Sequence, residues 1–311
     1  MTLRLGSVGA EVVSLQTFLN ITADGQFGPK TEAAVKQWQS ENGLVPDGIV
    51  GPKTQNAMGL LTTDTKDRED AGELSIIQYH LKPGEYYAGP VNKDWIFLHH
   101  TAGWHNAKSC VDGWNADTRG AVGTEFILGG QSIRGNDNSC DGDLIQAFPK
   151  GGYAWHLGTG NDEMHRNSVG IEVSCFGQLT RGGYWKWNGS KNVWVALKPD
   201  KFYTYVGVEA HESQIAELEK PFRGFQYWHR YSDKQIEILK KWILWVAERD
   251  NIDPTKGLVE LIKQKGAHDA FDTCDAAMCR QKKGLWSHTN VIAGKVDMFP
   301  QPELVEMLLS L

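Results

Sequence analysis

The stretch WIFLHH, residues 95–100, combines four apolar residues with two histidines at its end. An apolar run of this length is typical of a strand that is buried on both faces of a sheet. Side chains alternate along a strand, so His99 and His100 should point to opposite faces, and only one of them can ligate a metal on a given side. The stretch therefore predicts a central strand that ends at a functional histidine.

Further strands and helices are expected around this central strand. Ser232 and Gln235 form a capping-box pattern, which opens a helix with apolar residues three and four apart. Similar patterns predict strands at about 125–128, 144–148 and 169–174, and helices at about 107–117, 232–250, 255–265 and 302–311. Strands interleaved with helices indicate an α+β or α/β domain with a central mixed sheet flanked by helices.

The segment LWSHTNVIAGKVDMFP, residues 285–300, brings His288, Lys295 and Asp297 close together in sequence. An imidazole and a carboxylate suit zinc if a distant segment, here FLHHTAG at 97–103, supplies a third ligand. In an extended segment Lys295 and Asp297 share a face, which would place an ammonium beside the metal to stabilise an oxyanion. The alternative is a core or surface histidine next to an exposed ion pair.

Two more candidate site residues lie between these segments. Glu172 interrupts the otherwise apolar strand SVGIEVSCFG, and a carboxylate in such a place is either paired or used, because burying it unpaired is costly. His156 lies in the glycine-rich loop AWHLGTG at 154–160.

An internal repeat marks the N-terminal region. DGQFGPKT at 24–31 recurs as DGIVGPKT at 47–54, and each copy combines an Asp-Gly turn with a proline suited to the first turn of a helix. Apolar residues at helical spacing precede and separate the copies. The region therefore predicts a small three-helix bundle.

This region resembles the peptidoglycan-binding domain 1 family. The residues that carry the resemblance are Leu15, Gln16, Leu19, Asp24, Gly25, Phe27, Gly28, Thr31, Ala34, Val35, Trp38 and Gln39. The resemblance implies that bacterial peptidoglycan is the partner, although a helical bundle without a ligand would show the same packing pattern.

The expected organisation is a peptidoglycan-binding domain at 1–60, a charged linker at 61–75 and a catalytic domain at 76–311. Two segments of the catalytic domain, about 178–231 and 252–285, are interpreted as insertions. The first contains a predicted hairpin that turns at Asn188 and Gly189.

Composition excludes several classes of protein. The net charge of -6 and the pI of about 5.9 do not favour nucleic-acid binding or a polybasic membrane anchor. Five scattered cysteines in 311 residues are expected to be mostly free thiols. No apolar stretch approaches a membrane span of about 20 residues, and the N-terminus lacks the pattern of a secretory signal. We expect cytoplasmic synthesis and, for the oligomeric state, a monomer.

The motifs of the larger domain together resemble the N-acetylmuramoyl-L-alanine amidase type 2 family, which is related to the peptidoglycan recognition proteins. FLHHTAG, AWHLG, VGIEVS and SHTNVIAGKVD occur in the family's order. The resemblance implies one zinc ion per chain held by His99, His288 and Asp297. It also implies Glu172 as the general base, Lys295 as the assisting lysine, and His156, His100, Thr101 and Thr124 near the substrate.

The implied reaction is hydrolysis of the amide between the lactyl group of N-acetylmuramic acid and L-alanine of the stem peptide. Glu172 would move the proton from water to the leaving amine while Lys295 and zinc stabilise the oxyanion. A wall-targeted amidase without an export signal is similar to phage endolysins, which accumulate in the host cytoplasm and reach the wall through holin lesions.

Three alternatives remain open from the sequence. A non-catalytic peptidoglycan receptor would keep the fold but lose metal ligands. A bacterial autolysin or recycling amidase would perform the same chemistry in another setting. Cys274, Cys279 and either His268 or His288 could instead form a structural zinc site, because two cysteines four residues apart have tolerable spacing.

Overall fold

The computed structural model describes residues 3–42, 44–51, 54, 58, 68–71, 74–158 and 160–311. The chain divides into two compact units, Met1–Arg68 and Glu69–Leu311. Most of the expected linker at 61–75 lies outside the described residues. Within it, however, Arg68–Ala71 form a strand, β1, and the next strand, β2, begins at Leu74.

The N-terminal unit contains helices α1 (Ala10–Phe18) and α2 (Pro29–Glu41). Proline at the start of α2 suits the first helical turn, where its missing N–H group costs nothing. The buried apolar residues form one cluster, made of Leu3, Val12, Leu15, Phe27, Val35, Val50 and Met58. The third helix of the predicted bundle falls on a segment that is largely outside the described residues.

The sequence repeat has a structural cause in two buried glutamines, Gln16 and Gln39. Each glutamine precedes one copy of the repeat. Its side-chain NH₂ group donates to the Asp carboxylate, a backbone carbonyl and the Thr hydroxyl of that copy, and its side-chain oxygen accepts from the glycine N–H. The partners of Gln16 are Asp24, Gln26, Thr31 and Gly25, and those of Gln39 are Asp47, Ile49, Thr54 and Gly48. Burying these glutamines is therefore offset by complete hydrogen bonding.

The larger unit is built on a seven-stranded sheet. Its strands are β1 (Arg68–Ala71), β2 (Leu74–Gln78), β3 (Trp95–His100), β4 (Phe126–Leu128), β5 (Leu144–Gln146), β6 (Ser168–Val173) and β13 (Gly284–Ser287). They are arranged in the order β1-β2-β5-β4-β6-β3-β13. β4 and β5 are antiparallel, whereas β3 is parallel to both β6 and β13. The predicted central mixed sheet is thus confirmed, with β3 buried along its whole length.

The helices of this unit are α3 (Ala107–Asn115), α4 (Asp162–Arg166), α5 (Asp233–Asp250), α6 (Leu258–Lys265), α7 (Ala267–Asp272), α8 (Ala276–Gln281) and α9 (Pro302–Leu309). The predicted capping box of α5 is confirmed: Ser232 accepts from the N–H of Gln235, whose side chain accepts from the N–H of Ser232. Such a cap contributes about 1 kcal/mol. α5 buries Trp242, Ile243 and Val246 in the main core.

The segment expected as the first insertion folds into additional sheets. Its strands are β7 (Gln178–Arg181), β8 (Gly183–Trp187), β9 (Asn192–Ala196), β10 (Phe202–Tyr203), β11 (Ile215–Phe222) and β12 (Phe225–His229). Four of them form a sheet in the order β10-β7-β12-β11, and a separate hairpin pairs β8 with β9. The hairpin predicted around Asn188 and Gly189 is confirmed as β8 and β9. The segment at 252–285 contains α6, α7 and α8.

The topology brings distant residues to one edge of the sheet. β6, β3 and β13 are parallel neighbours, so their carboxyl ends meet, and it is at such ends that open sheets bind ligands. Glu172 lies opposite His99 in the register of β6 and β3, and Ser287, which precedes His288, lies opposite Leu98. Among the described helices, none combines the length and the apolar character needed to cross a bilayer.

Candidate metal centre and the cleft around it

Three side chains converge at the carboxyl ends of β3 and β13. His99 Nδ1 lies 2.9 Å from His288 Nδ1 and 3.5 Å from Asp297 Oδ2, and His288 Nδ1 lies 2.9 Å from the same carboxylate oxygen. All three residues are buried. The structure thus brings together the three residues expected as metal ligands, and they are the one group with metal-ligand geometry among the described residues.

The donor set of this triangle fits zinc. Two imidazole nitrogens and one carboxylate oxygen are typical ligands of a catalytic zinc site, which keeps a fourth position open. Ligand atoms about 2.0–2.1 Å from a tetrahedral ion lie roughly 3.3–3.4 Å from each other. The observed separations of 2.9–3.5 Å surround that value. The residues present are therefore compatible with a single bound zinc ion.

Electrostatics keeps His99 and Asp297 in protonation states that a cation can use. Burial, followed by the neighbouring His288, lowers the pKa of His99 to about 4, so its imidazole is neutral at physiological pH. Burial alone would raise the pKa of Asp297, but hydrogen bonds from His288 and His99 hold it well below its usual range. A neutral imidazole at His99 and an ionised carboxylate at Asp297 are protonation states that bind a divalent metal.

His100 lies on the other side of β3, as the alternation of the strand predicts. Its Nδ1 is 2.8 Å from the hydroxyl of Tyr231, and burial lowers its pKa to about 4. The Tyr231 ring stacks on Phe299, two residues after Asp297, at a centroid distance of 4.7 Å. His100 is therefore placed to support the segment that carries Asp297, although it also borders the cleft.

His156 lies directly behind His99. Its Nδ1 is 2.9 Å from His99 Nε2, and its own Nε2 is 2.9 Å from Ser168 Oγ. When Nδ1 of His99 faces a metal, its Nε2 carries the proton and donates to His156, which in turn donates to Ser168. These contacts hold the imidazole ring of His99 in its orientation. His156 also lines the cleft, where it was expected.

Glu172 projects from β6 into the same site. It is half-buried, and its Oε2 is enclosed and accepts no hydrogen bond within the described chain. Burial and then the charge of Asp297 raise the pKa of Glu172 well above its usual range, against the opposing charge of Lys295. A carboxyl group held without a partner in a cleft has the properties of a group that exchanges protons.

Lys295 borders the cleft. Its backbone N–H donates to the carbonyl of Ile292 and closes the turn that precedes the segment 295–297. The tight Ala293-Gly294 sequence is the local reason. Its side chain is exposed and lines the cleft together with Glu172 and Asp297.

The two threonines expected near the substrate differ in position. Thr101 lines the cleft and its hydroxyl accepts from the N–H of Cys175 at 3.2 Å. Thr124 is buried, and its hydroxyl donates to the carbonyl of Phe126 at 2.8 Å. Thr124 is not among the residues that line the cleft. Its hydroxyl is instead bonded to the first residue of β4.

Two adjoining clefts lead to the triangle. The first, of about 360 Å³, contains Glu172, Asp297 and Thr101. The second, of about 510 Å³, extends toward Asp162 and Gly160. Both are lined by Arg119, Val122, Trp155, His156, His288 and Lys295. The clefts have room for an extended ligand that passes over the candidate metal ligands.

Arg223 contributes to the site although no sequence pattern pointed to it. From the turn between β11 and β12, its guanidinium donates to the carbonyls of Thr289, Ala293 and Lys295 and pairs with Asp272 at 3.0 Å. The loop that carries His288 and Lys295 is thereby tied to a residue about 70 positions away. A basic residue in a predicted insertion had no periodicity or motif that could have identified it.

The alternative zinc site at Cys274 and Cys279 is not assembled. Cys279 is buried with its thiol 3.6 Å from the carbonyl of Asn290, and Cys274 is exposed. His268 pairs with Asp269, and His288 belongs to the triangle. All five cysteines are free.

Comparison with known proteins supports the identity of the N-terminal region. Residues 9–58 match the family described as Putative peptidoglycan binding domain. No curated protein sequence matches the chain.

Several solved structures are similar to parts of the chain. An endolysin of the Burkholderia phage AP3 is 43% identical over 19% of this chain and 24% of its own, with a TM-score of 0.19. A fused Zn-dependent amidase/peptidase/peptidoglycan-binding protein of Clostridium acetobutylicum is 33% identical over 27% and 37%, with a TM-score of 0.19. A selenomethionine derivative of AmpD is 13% identical over 78% and 97%, with a TM-score of 0.32.

The chain spans less than two thirds of the length of the first two of these structures. With TM-scores this low, the likenesses identify neither the fold nor the activity of the larger unit. The family match does not depend on them. Over residues 9–58, this chain carries a putative peptidoglycan-binding domain.

Proposed function

We propose that this protein is a zinc-dependent peptidoglycan hydrolase. The observation that carries the proposal is the convergence of His99, His288 and Asp297 beside the unpaired carboxyl of Glu172, in a chain with a peptidoglycan-binding domain. A wall-binding domain concentrates an enzyme on an insoluble polymer, where diffusion otherwise limits encounter. We assign peptidoglycan as the partner and a monomer as the working state.

The chemistry follows from the positions of the side chains. His99, His288 and Asp297 would hold zinc, which when bound supplies Lewis acidity for activating water and polarising a carbonyl. Glu172 accepts a proton from the attacking water and delivers it to the leaving amine, a role that its raised pKa suits. The ammonium of Lys295 stabilises the negative charge that develops on the carbonyl oxygen.

The bond proposed for cleavage is the amide between the lactyl group of N-acetylmuramic acid and L-alanine. It joins glycan to peptide, so a substrate must extend on both sides of the reacting carbonyl. The two adjoining clefts, of about 360 and 510 Å³, meet at His288 and offer room for such an extended substrate. Substrate contacts are assigned to His156, His100 and Thr101.

A non-catalytic peptidoglycan receptor is disfavoured because all three ligands and the carboxyl group are retained. In its biological setting we assign the protein as an endolysin, made in the host cytoplasm and released to the wall through holin lesions. A bacterial autolysin or recycling amidase would share the chemistry.

Digestion of purified sacculi by the zinc-loaded protein tests the reaction. Mass spectrometry should find intact glycan strands with free lactyl carboxylates and peptides that begin with an unblocked L-alanine. New reducing sugar ends, or new amino termini inside the stem peptide, would show that another bond is cut and would refute the proposal.

A further inference from the structure

The hairpin of β8 and β9 presents three tryptophans to solvent on one side. Trp185 and Trp187 are two residues apart on β8, and Trp194 lies opposite Trp185 in the register, so all three share a face. Their side chains are 56%, 61% and 41% exposed. We call Trp185, Trp187 and Trp194 the tryptophan face. Single exposed apolar residues are common on protein surfaces, but a group of large exposed side chains indicates a surface that binds a ligand or partner.

The tryptophan face is held in place by the residues beneath it. Trp185 and Trp194 pack edge to face with ring centroids 5.3 Å apart. Trp194 lies across Gly183, where an added Cβ would come within 2.8 Å of the indole, so only glycine permits this packing. Val193 and Val195 point to the other, half-buried side of the hairpin. Trp185 and Trp194 are therefore packed before any ligand arrives, which lowers the entropic cost of binding.

The hairpin is connected to the rim of the cleft. Tyr184 on β8 packs over Gly207, and Tyr205, two residues earlier in the chain, donates its hydroxyl to the carbonyl of Ala102 at 2.8 Å. Ala102 lines the cleft that contains Glu172. Tyr205 is itself 48% exposed. Tyr184 lies on the face of β8 opposite Trp185 and Trp187, so these contacts place the hairpin beside the rim of the cleft.

The polar groups around the tryptophan face indicate the chemistry of its ligand. Within the described part of the chain, none of the three indole N–H groups donates to a protein acceptor, and Lys186 and Lys191 form no ion pair. Rings with free N–H donors complement a chain of sugars, whose apolar ring faces stack on indole while hydroxyl and acetamido oxygens accept hydrogen bonds. Lys186 lies on the opposite side of the hairpin with Val193, whereas Lys191 is exposed in the turn that joins β8 to β9. Lys191 suits a polymer that carries carboxylates.

We propose that the tryptophan face binds the glycan strand of peptidoglycan, as a site additional to the N-terminal domain and the cleft. The proposal rests on the proposed function in naming this polymer, because the cleft is assigned to the same substrate. The binding itself requires no catalysis and no scissile bond.

Titration calorimetry of the full-length, zinc-loaded protein with soluble glycan strands stripped of peptide tests the proposal. The double variant Trp185→Ala/Trp187→Ala should bind roughly tenfold more weakly than the wild type. The double variant Trp185→Phe/Trp187→Phe, which keeps aromatic rings, should recover part of that loss. Leu244→Ala removes a comparably exposed apolar side chain from α5 and should bind as the wild type does.

Glu172→Gln separates this inference from the proposed function, because peptide-free glycan lacks the lactyl–alanine amide that is proposed for cleavage. This variant should bind such glycan normally. If the wild-type protein showed no amidase activity in any assay but its glycan binding still depended on the tryptophans, only the proposed reaction would be overturned. Unchanged glycan affinity in the Trp185→Ala/Trp187→Ala variant would overturn the glycan site. The glycan site would also be overturned if the variant lost binding only to vesicles of phosphatidylethanolamine and phosphatidylglycerol, because the tryptophan face would then be a lipid-binding surface.

Discussion

The guanidinium of Arg223 donates a hydrogen bond to the backbone carbonyl of Lys295. The same guanidinium also bonds to the carbonyls of Ala293 and Thr289, so it holds both sides of the loop between His288 and Lys295. Because Arg223 is anchored by Asp272, the loop is fixed from outside the central sheet. The position of the proposed oxyanion-stabilising ammonium thus depends on a turn between two strands of another sheet.

Removing the hydrogen bonds from Arg223 to this loop should lower kcat more than it weakens metal binding. Lys295→Ala, which deletes the ammonium, should lower kcat by on the order of 10² to 10³. Arg223→Ala leaves the ammonium present but displaced, and a misplacement of about 1 Å can cost up to about 100-fold. We expect a kcat between those of the wild type and Lys295→Ala, measured on soluble muropeptide.

Arg230→Ala is the matched control, because Arg230 belongs to the same segment and its guanidinium, among the residues that the structure describes, pairs with the carboxylates of Asp233 and Glu303 and not with the loop. It should keep wild-type turnover. A wild-type kcat in Arg223→Ala, with the variant folded and zinc-loaded, would show that the loop positions Lys295 without help.

The metal ligands can be separated from their neighbour on the same strand. His99→Ala and His288→Ala each remove one of three protein ligands and should lose zinc, as measured by elemental analysis after gel filtration. His100→Gln should retain one zinc per chain, because His100 bonds to Tyr231 on the opposite side of β3. Full zinc content in both alanine variants would contradict the assignment of the triangle.

The carboxyl of Glu172 should be needed for activity but not for stability. Glu172→Gln removes the proposed base and should reduce kcat by roughly 10²- to 10⁴-fold while zinc content is unchanged. Burial of an unpaired carboxylate is costly, so the uncharged isostere should unfold at the same temperature as the wild type or higher. A folded Glu172→Gln variant with wild-type kcat would exclude Glu172 as the base.

Local patterns predicted the elements that are stabilised locally. The apolar run of β3, the capping box of α5 and the turn of the β8–β9 hairpin were each placed correctly, because burial along one strand, a cap and a turn involve residues close in sequence. A metal site that joins His288 and Asp297 to a histidine of residues 97–103 was expected from the residue types, and the family resemblance selected His99 as that histidine. The physical basis of the site is the adjacency of β3 and β13, a pairing of residues about 190 positions apart.

Two features that sequence reasoning missed depend on such distant contacts: the participation of Arg68–Ala71 in the sheet and the hydrogen bond from Arg223 to Lys295. Neither feature leaves a periodic signal. The inward hydroxyl of Thr124 is different, because its acceptor, the carbonyl of Phe126, is two residues away.

A buried lysine near the site should give the stability a measurable pH dependence. The ammonium of Lys93 donates to the carbonyls of Gly152 and Arg166, which bracket the segment that carries His156. Burial lowers the pKa of Lys93 to about 8, against an ordinary value of 10.5. The charged form is therefore disfavoured by folding, and this cost is fully present below pH 8.

As the pH rises from about 8 to 10.5, the folded state releases this proton before the unfolded state does. The unfolded state then binds more protons, so the free energy of unfolding increases with pH. The free energy of unfolding of the wild type, measured relative to Lys93→Met, should therefore increase by a few kcal/mol across this interval. A constant difference between the two proteins from pH 7 to 11 would show that Lys93 titrates normally.

The N-terminal domain should deliver the protein to the wall without taking part in the chemistry. Deletion has to stop before Arg68, because Arg68–Ala71 form β1 of the central sheet and their loss would expose the edge of β2. A chain that begins at residue 67 should cleave soluble muropeptide with wild-type kcat, since all candidate ligands and the cleft lie in Glu69–Leu311. On intact sacculi the same chain should be slower, because the effective concentration that the domain provides is lost.

The full-length Gln16→Leu variant, which breaks one buried hydrogen-bond network of the repeat, should approach the deletion in sacculus binding while keeping muropeptide turnover. If the deletion abolished cleavage of the soluble substrate while the remaining unit stayed folded and zinc-loaded, the two units would have to act together in catalysis.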